Sequence, residues 1–300
     1  MKRQGRCGLK DWTNWRATTL EVPLPGRTVL ADVRGPQIRY PQGMPRFPIE
    51  DWSAAQLRMT AFVGSSVGAS SEQLWQSVVG TLPDESTSNP KKGASQSSGA
   101  FEPGKLVLRL EPDRIDLVLE PADIDLESSP VVDVFAQMGS WLQLLETFSA
   151  IAQKLLLRAD QPLIVRLAFG SVLHHREATK ADAYSRLGDF LPTTPTADAS
   201  DFLYQINHPA SSDTGIEGLR INRLTKWSVA AFRSLRLSVS PGQNLAATVA
   251  QDAAFAMRLE LDINTAPDFS GPIPNDRLID VYRELVSFGR GVAENGPLGS

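Results

Sequence analysis

"AMRLELDINT", residues 256–265, decides the fold class. Met257, Leu259, Leu261 and Ile263 alternate with Arg258, Glu260, Asp262 and Asn264. Successive side chains of a strand point to opposite faces, so this is a ribbon with one apolar and one solvated side. "KLVLRLEPDRIDLVLEP", residues 105–121, sends Leu106, Leu108 and Leu110 to one face, turns at Pro112 and Asp113 and resumes with Ile115, Leu117 and Leu119. That is the pattern of an antiparallel hairpin. "PLIVRLAFG", residues 162–170, alternates through Leu163, Val165, Leu167 and Phe169. "DFLYQINHP", "IEGLRINRLTKWSV" and "AFRSLRLSV" read as successive antiparallel strands.

Helical periodicity lies between these ribbons. Val134, Met138, Trp141, Leu145, Phe148, Ala152 and Leu155 recur at three- and four-residue steps, which predicts one long central helix. Ser129 is expected as its cap and Pro130 as its first residue, with Gly139 and Ser140 as a site of kinking or division. "SSEQLWQSVVG" places Ser70 and Gln73 in capping-box spacing and stops at Gly80. "PNDRLIDVYRELVSFGRG" stacks Leu278, Tyr282 and Leu285 as a C-terminal helix, and "ATKADAYSRLGDFL" carries a weaker helical pattern. Antiparallel sheets mixed with segregated helices define an α+β fold.

The chain divides on this reading into a basic N-terminal segment, 1–17, a first α+β half, 18–128, and a second, 129–292, with no residue-level repeat between the halves. Residues 82–104 hold few bulky apolar side chains and are expected as a mobile loop, because such a segment cannot offset its ordering entropy. "GPLGS", residues 296–300, resembles a cloning or protease-site remnant.

Composition narrows the function classes. The chain has 300 residues, a formal net charge of −4 and one cysteine. With Cys7 alone no intramolecular disulfide forms, which suits a reducing compartment, and the expected location is cytoplasmic. The N-terminal basic residues are followed by no apolar run of the secretory type, and polar residues interrupt the apolar stretch between Val131 and Leu157.

"FGSVLHHREATKADAYSRLGDF", residues 169–190, holds two of the three histidines. If the strand continues past Gly170, His174 and His175 project from opposite faces and cannot share a metal, whereas His175 and Glu177 share a face and His208 could approach from a neighbouring strand. HExxH, paired CxxC and a calcium-binding loop do not occur in the sequence. A polar strand end is the reading these residues favour, and no metal or cofactor is expected. His175, Glu177 and His208 are kept as weak catalytic candidates, since histidine suits proton transfer near neutrality. "FVGSSVGASS", residues 62–71, reads as a loop and helix cap rather than an anion cradle, and Asp123 and Asp125 as hairpin carboxylates rather than cation ligands.

Charge is unevenly spread. Residues 1–48 carry nine Lys or Arg against three acids, with Trp12, Trp15, Tyr40 and Phe47 interleaved, and 101–146 carry ten acids against three bases. Arg16, Arg34, Arg39 and Arg46, with Arg220, Arg223, Lys226, Arg233 and Arg236 of an acid-free stretch, are the candidate binding residues. Segregated charge steers partners, and the proline-rich segment 22–52 suits an arm laid along another subunit. The leading expectation is a non-catalytic binding protein, a subunit or adaptor in a protein assembly or a self-associating chain. The alternatives are an RNA- or DNA-binding protein, which the acidic pI of about 5.5 disfavours, and a histidine-dependent hydrolase or nuclease.

Overall fold

The alternation along 256–265 appears as part of β11 (Ala246–Thr265), and its pairing partners place it deep in a sheet. The structure, a computed structural model, describes residues 47–297 apart from 66, 123–130, 133–137, 192–198, 200 and 239–245; side chains of 131–132, 233–238 and 246–253 are also outside the description. In chain order the strands are β1 (Ser53–Val63), β2 (Glu85–Asn89), β3 (Ala94–Phe101), β4 (Gly104–Glu111), β5 (Arg114–Pro121), β6 (Val131–Val132), β7 (Ile164–Glu177), β8 (Leu203–Asn207), β9 (Ala210–Ser211), β10 (Arg220–Ser238) and β11. The helices are α1 (Ser71–Val79), α2 (Trp141–Leu156), α3 (Lys180–Phe190) and α4 (Leu278–Asn295). The fold is α+β: the eleven strands of the described residues form one antiparallel sheet of order β2-β3-β4-β5-β1-β7-β11-β10-β6, with β8 and β9 also on β10.

The element order repeats. β1, α1, β3, β4, β5 and α2 are followed by β7, α3, β8, β10, β11 and α4. The sheet reads β3-β4-β5-β1 and then β7-β11-β10-β8, the same arrangement inverted about the antiparallel β1–β7 pairing. The two halves are joined there by a long ladder that includes Arg58 opposite Gly170 and Met59 opposite Phe169. In this order α2 follows the strands of the first repeat and the second opens at β7. The halves share one sheet and one core, and residues 45–300 cluster as one unit.

The odd-numbered residues of β1, β5, β7 and β11 bury a common core. Leu57, Met59, Leu117, Leu119, Leu167, Phe169, Leu259 and Ile263 are fully enclosed. The described helices cover this same side. Phe169 packs edge-on to Tyr282 of α4 at 6.4 Å, Trp227 of β10 packs on Phe190 of α3 at 5.2 Å, and Ser149 of α2 bonds Tyr282 at 3.3 Å. A Cβ on Gly99 of β3 would meet Trp75 of α1 at 3.0 Å. Tyr282 is so enclosed that its hydroxyl is pushed up to about 12 by burial.

Four expectations are corrected. The long helix starts at Trp141 rather than near Pro130: Gly139 takes φ +97, Ser140 occupies the cap position and 131–132 are strand, while Ser129 lies outside the described residues. Residues 82–104 carry β2 and β3, which pair with each other and, through β3, with β4; backbone ladders and Ser-to-Ser bonds hold a segment that has little apolar surface. In 162–170 the register shifts between Phe62 and Val63. That bulge buries Ile164, leaves Val165 half-buried and Leu163 54% exposed. The two C-terminal ribbons expected at 216–229 and 231–239 are one continuous strand, β10.

Candidate functional site

β7 runs unbroken through His174 and His175 to Glu177, so the two imidazoles lie on opposite faces of the sheet. His174 is on the face away from the helices. It packs edge-on to Phe232 at 5.1 Å and is 6% exposed, and its pKa falls to about 4, through burial first and the nearby Arg258 cation second. His175 is on the helix side, edge-on to Trp52 at 5.9 Å. Its Nδ1 is 2.9 Å from Glu177 Oε1 and its Nε2 3.8 Å from Asp51. Glu177 also receives Arg186 of α3 at 3.2 Å. The His175–Glu177 neighbourhood is thus a polar network tying the end of β7 to α3 and to the segment before β1.

His208 does not join it. Its Nδ1 is 2.8 Å from Arg223, whose Nε donates to the His208 carbonyl at 2.8 Å. Arg223 pairs with Ile263 in the ladder, whereas His175 pairs with Met257. Six residues of β11 separate those rows, roughly 20 Å of strand. Among the described residues, no group of three or more metal-ligating side chains is found.

The candidate basic residues of β10 do not form one surface. Arg223 points to the helix side, 7% exposed, its guanidinium 5.1 Å from the Phe288 ring centroid. Arg220 is paired with Asp268, and Lys226 lies 3.7 Å from Glu260. Arg16, Arg34, Arg39 and Arg46, like the side chains of Arg233 and Arg236, are outside the described residues, as are Asp123 and Asp125. In 62–71 the α1 N-terminus is closed by its own cap: Ser70 Oγ accepts from the Gln73 amide and Gln73 Oε1 from the Ser70 amide. A cleft of about 480 Å³ lies beside it, lined by Val67, Leu74, Leu155, Leu156 and Ile164, with Arg158 at its rim bonded to Asp160.

The feature that residue-by-residue inspection missed is the sheet face carrying no helix among the described residues. Even-numbered side chains of β1, β3, β5, β7, β10 and β11, with odd-numbered ones of β4, build it, and they bond to one another both along and across the strands. Thr60 donates to Asp116 at 2.5 Å, and Arg114 meets the same carboxylate at 3.0 Å. Arg166 donates to Asn264 at 2.8 Å and lies over the Phe62 ring at 5.0 Å, and burial lowers its pKa. Arg109 donates to Gln96 at 2.8 Å, and Arg258 meets Glu260 at 2.9 Å. Arg58, near the middle, has no such partner. Its guanidinium lies beside Gly170, where an added Cβ would come within 3.4 Å of its Nε and Nη2. The signal in the sequence was the alternation itself, since Arg258, Glu260 and Asp262 already marked this side of β11 as polar.

No protein-family model matches the chain, and no curated protein sequence matches it. No helix among the described residues is long and apolar enough to cross a membrane.

Proposed function

We propose that the protein works by binding, as a subunit or adaptor, with the helix-free face of its sheet as the surface that docks a protein partner. One observation carries the reading: four helices cover one side of an eleven-stranded sheet, and the described part of the other side presents an ordered, mixed-charge array. Polar groups held in fixed geometry by bonds along and across the strands favour recognition, because little side-chain freedom is lost when they dock. Alternating carboxylates and guanidiniums complement a protein surface better than a polyanion, which the carboxylates would repel.

A photo-crosslinking amino acid at Val172, on the helix-free face of β7, tests this in living cells. A protein adduct at Val172, with none at Arg290 on the far side of the molecule, is expected. Equal labelling at both positions, or adducts to nucleic acid alone, overturns it.

A further inference from the structure

Resting on that reading of the sheet face, we infer that Arg58 is its anchor and takes one carboxylate of the docked protein. Arg58 is partly buried at the centre of the sheet, on the strand that joins the two halves. Guanidinium groups covered by protein without an acceptor lose hydration and gain nothing in return, and an incoming carboxylate restores two charge-assisted bonds in a fork geometry. Arg58 faces Gly170 across the β1–β7 ladder, and Gly170 faces Asp262 across the next one. With no side chain at Gly170, the Arg58 guanidinium lies over it, its Nε and Nη2 3.4 Å from where a Cβ would stand, and the Asp262 carboxylate on the next strand accepts from Asn264 at 3.0 Å.

The same neighbours select the class of occupant. Asp262, Asp116 and Glu260 lie on this face, and the arginines at 114 and 258 are already matched to carboxylates. A nucleic-acid backbone brings a phosphate at every step and would meet those acids, while one acidic side chain from a protein needs only one cation, such as Arg58.

The test is selection of binders from a random peptide display library on the purified full chain. Arg58→Gln, Arg58→Lys and Val172→Lys serve as comparisons, each checked for an unchanged melting temperature. Enriched peptides are expected to share an Asp or Glu, to lose about tenfold or more in affinity on Arg58→Gln, to recover part of it on Arg58→Lys, and to be blocked by Val172→Lys. Peptides blocked by Val172→Lys but indifferent to Arg58→Gln overturn the anchor and leave the docking face standing. Binders indifferent to both variants, or no binders, overturn both. An oligonucleotide bound through Arg58 where no acidic peptide is selected overturns the carboxylate assignment in favour of phosphate.

Discussion

His174 shows how a single position on a strand acquires its chemistry from neighbouring strands on the same face of the sheet. It is neutral in the fold because burial and the Arg258 cation disfavour its charged form, holding its pKa at about 4. The unfolded chain titrates near the ordinary value of about 6.5 and therefore binds more protons between those limits. Stability from this group is complete above about pH 6.5 and is lost as pH falls toward 4, a change on the order of 3 kcal/mol. Urea unfolding across that range should show the decline, and His174→Gln should flatten it. Gly104 is a second position where one atom decides. A Cβ there would collide with the Glu120 carbonyl and come within 2.8 Å of Met138 Sδ. Because backbone cannot step aside as a flexible side chain does, Gly104→Ala is expected to cost about 1–3 kcal/mol, measured by chemical denaturation.

Among the elements, α1 was the most legible. Ser70 and Gln73 stand at capping-box spacing, and both reciprocal bonds form. Such signals act within one turn of chain and need no distant partner. Ser70→Ala should lower stability by about 1 kcal/mol, read as a shift in denaturation midpoint, with the sheet-face contacts unchanged. The start of α2 was not legible, because the apolar spacing runs through Val134 and Met138 as readily as through Trp141. What stops the helix is Gly139 at φ +97, together with two backbone bonds to Ala54 of β1: Met138 N–H donates to the Ala54 carbonyl at 2.9 Å, and the Ala54 N–H donates to the Gly139 carbonyl at 3.0 Å. The weak periodicity of α3 became a helix because Thr179 caps it and Tyr184, Leu187 and Phe190 bury against the sheet.

At the scale of the whole molecule, the two repeats are not separable. β1 of the first lies between β5 of its own repeat and β7 of the second, so cutting the chain between them strips a central strand of half its hydrogen bonds and bares a long edge. Fragments 45–157 and 158–297 should each aggregate or stay unfolded alone, and together regain the native circular-dichroism spectrum. The uncut chain should melt from residue 47 onward in one calorimetric transition. Two separate transitions would show that the repeats are independent after all.

Alternation and helical spacing along the chain were enough to establish the α+β class, the β4–β5 hairpin, α1 and the C-terminal helix, and to put His174 and His175 on opposite faces, because each depends only on the direction in which neighbouring residues point. The rest came from pairing between strands far apart in sequence. That β1 lies against β7, that Arg58 sits over Gly170, that His208 is bound to Arg223 and kept from His175, and that four helices share one side of the sheet are outcomes of register and packing. No local pattern encodes them, since the same alternating ribbon fits any neighbour until the full core selects one.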